Sequence, residues 1–227
     1  MKRLRAFVLR IVPAETLFPL LLALLWNMLA YYGGAAISAA LPRLRLSLPI
    51  DAQIPLLPWT VSVYIYSYIF WAVNYTLAAR CGERCAYRVF CADFLSKCLS
   101  FVFFIALPCT IDRPEITGGG VWCFLLRLIY RADAPYNLFP SIHCIASYFS
   151  AMGILREKSV PLLYRVFSLL LMLAIFASTV TTKQHVFLDI IGGVVFAALL
   201  FRISGIDAVW QRYQRFTKWL LRLFRRH

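Results

Sequence analysis

The chain has 227 residues, is 62% hydrophobic and carries a formal charge of +14. Ordinary globular domains are about 45–50% apolar, so a soluble fold is excluded, and the apolar residues fall in blocks of about 20, the length that crosses a bilayer as a helix. The basic excess would suggest nucleic acid in a soluble chain, but here it flanks the apolar blocks as the positive-inside rule expects, and no nucleic-acid partner is read from it.

The expected architecture is all-α: one transmembrane domain over residues 1–227, with six helices in a bundle. A basic head, Met1 to Arg10, carries Lys2, Arg3, Arg5 and Arg10. The first span is placed at Leu17–Leu41, and a proline-rich connection with Arg43, Arg45 and Asp51 follows. The second span, Trp59–Ala79, is rich in the tyrosine and tryptophan that favour membrane interfaces. After the basic turn from Arg80 to Arg88 comes the third span, Val89–Pro108, in which Asp93 and Lys97 are spaced to neutralise each other.

The longest break in the apolar pattern, Cys109–Pro140, contains Asp112-Arg113-Pro114 and three glycines at 118–120. It also holds an amphipathic stretch, Val121–Tyr130, expected to lie in the interface. The remaining spans are expected at Ser141–Leu155, Leu162–Thr181 and His185–Ile203. A basic amphipathic tail, about 206–227, is expected to lie on anionic lipid. The seven cysteines sit mostly in apolar segments and read as small buried apolar residues. Cys81 and Cys85 have no histidine or second pair nearby, so no metal site is expected.

Six spans put both termini on one side. Assigning that side to the cytoplasm places 17 of the 24 Lys and Arg there. The Arg113 loop, the start of the fourth span with His143, and the turn with Lys183 and His185 then share the extracytoplasmic face. His185 and Asp189 are four residues apart, a spacing that brings side chains together on a helix. A carboxylate on one imidazole nitrogen fixes the tautomer and frees the other as a nucleophile or base. Arg113 offers a planar fork for phosphoryl oxygens, and Pro140-Ser141 is a natural helix start whose free N–H groups favour an anion. With no carboxylate cluster to hold magnesium, the cations are expected to be side chains. Taken singly, each residue has a plainer reading: His143 as an interface side chain, Asp189 as a helix N-terminal charge, Lys183 as an anchor. Gly192-Gly193 suits close helix packing.

The pattern resembles the type 2 phosphatidic acid phosphatase superfamily of membrane lipid phosphatases and phosphotransferases. The resemblance rests on Arg113-Pro114, on Pro140-Ser141-Ile142-His143, and on Ser178 with His185-Val-Phe-Leu-Asp189. It runs from about the third span through the sixth, a motif-bearing core at about 89–205. It implies that His185 forms a phosphohistidine, that Asp189 orients it, and that His143 protonates the leaving alcohol. It further implies that Arg113, Ser141 and backbone N–H groups near Ile142 hold the phosphoryl oxygens, without a cofactor. The sequence departs from the pattern at three positions: the family's lysine is Ala106, the arginine after the third-motif serine is Thr179, and the second-motif glycine is Ile142. Lys183 is the expected substitute cation, with Arg127, Arg131 or Tyr136 as further contributors.

The expected function is hydrolysis of a membrane lipid phosphate in the inner or plasma membrane. A close rival, transfer of a phospho-headgroup to a lipid alcohol, follows from similarity to the branch containing inositol phosphorylceramide and sphingomyelin synthases. Two readings of other classes rank behind: a haem protein with His143 and His185 as axial ligands, and a channel, for which mid-span polar residues are too few. The particular lipid and the oligomeric state stay open.

Overall fold

The computed structural model describes residues 10–224. Lys2, Arg3 and Arg5 of the basic head, and Arg225, Arg226 and His227 of the tail, lie outside the described residues. The described chain is mostly helical. Helix α1, Ala14–Ile37, contains one π-helical turn at Leu29–Gly33. A one-turn helix α2, Pro49–Gln53, leads through a short 3₁₀ segment into α3, Val61–Arg80. The next helices are α4, Glu83–Ala106, and the amphipathic α5, Gly120–Ala132. Helices α6 (Ile142–Ile154), α7 (Leu162–Thr181), α8 (Phe187–Ile203) and α9 (Asp207–Phe224) complete the described residues. A two-residue parallel bridge, Leu44–Arg45 with Cys109–Thr110, ties the loop after α1 to the loop after α4.

Breaks between helices follow backbone chemistry. Gly82 turns α3 into α4 at φ +98°, a conformation that costs little only without a Cβ. Pro161 stands just before α7, where a missing N–H is harmless. Each long helix turns apolar side chains outward, including Leu24, Leu25, Leu163, Leu170 and Val195. For an ordinary soluble surface this would be anomalous; against lipid it is expected.

Among the described residues, three helices are individually long and apolar enough to cross a membrane: α1, α4 and α7. The pair α8 and α9, bent by 89°, raises the number to four if counted as one span. Helix length and apolarity alone support three or four of the six spans expected from sequence. Helix α3 is diluted by Tyr, Ser and Asn, and α6 has 13 residues, a rise of about 20 Å against an apolar core of about 30 Å. Yet α6 is the central helix, packed against α3, α4, α7 and α8. Its neighbours, more than its own length, bury it.

The pairing expected inside the third span is present: Lys97 Nζ lies 3.0 Å from Asp93 Oδ1, both side chains buried. The Tyr75 hydroxyl donates to the same oxygen at 2.7 Å. Helix α9 crosses α4, where Tyr213 and Phe216 pack their rings on Phe94 with centroids 5.5 and 6.0 Å away.

The helix ends sort into two groups. Turns at 80–83 and 154–161 meet at one end, where Cys81 reaches Ser159. The end of α1, the starts of α3, α6 and α8, and the end of α7 gather at the other. There Tyr31 and Tyr64 share Asp133, and Leu57 N–H bonds Thr181 C=O at 2.9 Å.

Candidate active site

His185 stands in a tight turn between α7 and α8, two residues before the helix begins. The sequence places it within the helix; the structure corrects this. Lys183 takes a left-handed conformation (φ +53°), and the N–H groups of Gln184 and His185 both bond the Thr179 carbonyl at 2.9 and 3.0 Å. Asp189, in the first turn of α8, reaches back: its Oδ2 accepts from Val186 N–H at 3.0 Å and meets His185 Nδ1 at 3.1 Å. The four-residue contact is thus a helix-capping contact rather than a shared helix face. With Nδ1–H donated to the carboxylate, Nε2 keeps its lone pair.

His143 sits in the first turn of α6. That turn is tied to α8 by the Ser141 N–H, which bonds the Asp189 carbonyl at 3.2 Å. A Cβ on Gly193 would lie 2.9 Å from Ser141 O, so the two helices approach at a distance only glycine allows. The two imidazole centroids come to 5.9 Å. Tyr64 stacks on His143 at 4.3 Å, and Trp71 and Tyr68 close the sides at 5.1 and 5.8 Å.

Arg113 joins this group through Gln184. Its Nη1 donates to the carbonyls of Asp133 and Tyr130, and its Nη2 to Gln184 Oε1. The guanidinium lies 4.8 Å over the Tyr130 ring. Burial pushes the Tyr130 phenol up to about 12, against the pull of Arg113. It therefore stays protonated and donates to Thr182 C=O at 2.8 Å.

Three expected phosphate contacts are placed differently. Ser141 Oγ accepts from Cys144 N–H at 3.3 Å and so serves as the N-cap of α6. Lys183 turns to α2, with Nζ 2.9 Å from the Asp51 carbonyl and 2.6 Å from that of Ile54. Burial lowers the Lys183 ammonium from its ordinary value, with Asp51 opposing. Arg127 is held by the Ile116 and Gly118 carbonyls at 3.0 and 2.9 Å. Ile142, the first residue of α6, lines a cavity beside His143.

Two cavities meet at His185. One, of about 410 Å³, is bounded by Asp51, Arg113, Lys183 and His185. The other, of about 280 Å³, is bounded by Tyr68, Trp71, Asp133, His143, Gln184 and His185. Sequence reasoning missed Gln184, Asp133 and the aromatic wall on His143. Gln184 carried one weak signal, its place beside His185; Asp133 had none.

Among the described residues, the side chains that group as metal ligands are Cys81, Cys85 and Glu157, with ligand atoms within 4.8 Å of one another. They lie past the far end of α3 from Tyr64 and His143. Glu157 comes from a different turn, which is why sequence spacing left the two cysteines without a third ligand.

In comparison with known proteins, the family model described as PAP2 superfamily matches residues 125–203. That segment includes Asp133, His143, Gln184, His185 and Asp189 and stops short of Arg113. No curated protein and no solved structure matches the chain.

Proposed function

We propose, from the premise that the chain belongs to the PAP2 superfamily through residues 125–203, that it is an integral-membrane lipid phosphatase working through a phosphohistidine. Family membership supports a phosphatase-type enzyme. The observation carrying the finer reading is the His185–Asp189 contact at 3.1 Å with the second imidazole 5.9 Å away.

In this reading His185 Nε2 attacks phosphorus, forming a P–N bond as the P–O bond to the lipid alcohol breaks. His143 gives its proton to the departing oxygen, and Asp189 stabilises the positive charge that grows on His185. A water then loses its proton to His143 and attacks phosphorus, releasing phosphate and neutral His185. Arg113, anchored by two carbonyls and Gln184, faces the larger cavity and holds the phosphoryl oxygens there. The reading includes six membrane crossings with cytoplasmic termini, which the gathering of the three motif segments at one end of the bundle supports. It also includes contact of α9 with anionic lipid, supported by its basic and aromatic surface.

The test is phosphate release from a panel of lipid phosphates in detergent with chelator present, comparing wild type with His185→Ala. Release by wild type alone is the expected result. Equal release by both proteins would remove His185 as the nucleophile. No release from any lipid by a folded wild type would refute hydrolysis and favour transfer to an alcohol.

A further inference from the structure

The end of the bundle away from the histidines brings together Cys81, Cys85 and Glu157. Cys81 follows α3, and Gly82, at φ +98°, reverses the chain so that Cys85, in the first turn of α4, returns beside it. Glu157 arrives from the turn between α6 and α7, with its backbone fixed on both sides. Its N–H bonds the Ile154 carbonyl at 3.0 Å, and its carbonyl accepts from Val160 N–H at 3.1 Å. The helices leading to these turns are close because Gly153 of α6 admits Val89 of α4; a Cβ on Gly153 would lie 2.7 Å from Val89 Cγ2. Both thiol sulfurs and a Glu157 carboxylate oxygen then lie within 4.8 Å of one another.

The surroundings of Glu157 single it out. Arg156 and Lys158 flank it, yet among the described residues it forms an ion pair with neither. It faces two thiols instead, which are weak hydrogen-bond donors and poor partners for a carboxylate. The neighbouring cations are engaged elsewhere: Arg84 with Asp207 at 3.1 Å, and Arg88 with the Phe201 carbonyl at 3.3 Å. Cys81 and Glu157 are half-buried and Cys85 is 9% exposed, so the cluster is shielded by the bundle and still open to an ion from water. Both cysteines are free thiols. In the topology proposed above this end faces the cytoplasm, whose reducing conditions keep them so.

We propose that Cys81, Cys85 and Glu157 form a zinc site that clasps the α3–α4 turn to the α6–α7 turn. Two thiolates with one carboxylate suit a borderline-soft divalent ion: magnesium and calcium take oxygen ligands, and copper(I) favours sulfur. Zinc bonds of about 2.3 Å to sulfur and about 2.0–2.2 Å to oxygen set tetrahedral ligand atoms about 3.5–3.8 Å apart. The three groups therefore need to close by about 1 Å, within the reach of side-chain rotation. The Ser159 hydroxyl, 3.6 Å from Cys81 Sγ, or a water completes the tetrahedron. Binding exchanges protons for the ion: both thiols lose theirs, and Cys85 gives up its contact with the Gly153 carbonyl at 3.3 Å. The ligands then carry more negative charge than the ion neutralises, and the basic residues along both turns balance the excess. Far from both imidazoles, the ion takes no part in the phosphorus chemistry; it holds the opposite end of the bundle closed.

The test is cobalt(II) titration of the full chain in nanodiscs after stripping with chelator, followed by competition with zinc and by thermal melts. Wild type, Cys81→Ser, Cys85→Ser, Glu157→Gln, Cys98→Ser and His185→Ala are compared. Wild type should show a thiolate-to-cobalt charge-transfer band that saturates at one ion per chain and is displaced by zinc. Cys81→Ser and Cys85→Ser should lose most of the band, and Glu157→Gln should keep it with Kd raised by about tenfold or more. Cys98→Ser and His185→Ala should bind as wild type does. Zinc should raise the Tm of wild type and not that of Cys81→Ser. If Cys85→Ser does not fold, Cys81→Ser and Glu157→Gln decide, since both side chains are half-buried. A folded wild type without the band, a band unchanged in Cys81→Ser and Glu157→Gln, or one lost in His185→Ala overturns the proposal. These readouts are independent of phosphate release, so the site stands or falls apart from the phosphohistidine reading.

Discussion

Substituting Asp189 separates its two jobs. Both of its bonds converge on Oδ2, which accepts from Val186 N–H at 3.0 Å and from His185 Nδ1 at 3.1 Å. In Asp189→Asn the amide oxygen takes that position, because a flipped amide would set NH₂ against two donors. The cap and the tautomer survive; the charge does not. A charge-assisted hydrogen bond exceeds a neutral one by about 1–2 kcal/mol, and the deficit grows as His185 becomes positive on attacking phosphorus. At about 1.4 kcal/mol per factor of ten, kcat should fall by roughly 10- to 100-fold. Asp189→Ala removes both bonds, frees the imidazole to rotate and leaves the Val186 N–H buried without a partner. Its kcat should fall by about 10³-fold or more, with a cap loss of about 1 kcal/mol in stability. The assay is phosphate release at saturating lipid phosphate, alongside acid-quench trapping of phosphohistidine and a thermal melt of each variant. Equal losses in Asn and Ala, or an undiminished Asn variant, would refute the argument that one oxygen orients the ring and caps the helix.

Three further substitutions probe the scaffold around this pair. Arg113→Lys loses the planar fork that spans two carbonyls and Gln184, so KM for the lipid phosphate should rise about 10- to 100-fold, with kcat less affected; steady-state kinetics decide. Lys183→Met removes two bonds to the carbonyls of Asp51 and Ile54, so it should lower stability by about 1–2 kcal/mol, or roughly 2–4 °C in Tm per kcal/mol, and change kcat by less than about threefold. A kcat loss as large as that of Arg113→Lys would restore Lys183 to the phosphate site. Gly193→Ala places a Cβ 2.9 Å from the Ser141 carbonyl and 3.1 Å from Cys144 Cβ; overpacking at that contact costs about 1–3 kcal/mol, and displacement of His143 from His185 should lower kcat by roughly tenfold or more, read from Tm and turnover together.

How much of this was written in the sequence depends on the range of the interaction. Apolar blocks gave the helices, since a backbone in lipid has few other ways to satisfy its polar groups. His143, His185 and Asp189 could be singled out because histidine is rare here and a four-residue spacing is local. The helix start was misjudged because an imidazole two residues ahead of a helix and one inside it leave the same spacing. Lys183 looked like a phosphate ligand because charge is legible while direction is not: its left-handed backbone sends the side chain to α2, 129 to 132 residues earlier in the chain. Asp133 became meaningful only when the end of α1 and the start of α3 brought the Tyr31 and Tyr64 hydroxyls onto its carboxylate. The short α6 shows why length and apolarity alone are a poor guide to it: its burial is supplied by four neighbouring helices.

The two family cations missing at Ala106 and Thr179 can be weighed in the same terms. Thr179 is fully buried, its hydroxyl donates to the Phe176 carbonyl at 2.8 Å, and its own carbonyl holds both Gln184 and His185. An arginine introduced there would bring a charge into a filled site; an uncompensated buried charge costs several kcal/mol. Thr179→Arg should therefore fail to yield folded protein rather than restore a phosphate ligand. Ala106 is the last residue of α4 and is exposed, and a lysine at a helix C-terminus is favoured by the dipole, by about 0.3–1 kcal/mol. Ala106→Lys should fold normally and leave kcat/KM within about threefold of wild type, because Arg113 is already fixed by three acceptors beside the larger cavity. A tenfold gain in kcat/KM from Ala106→Lys would instead mean that the phosphoryl cavity is short of charge, and that its selectivity for phosphate depends less on Arg113 than its three hydrogen bonds imply.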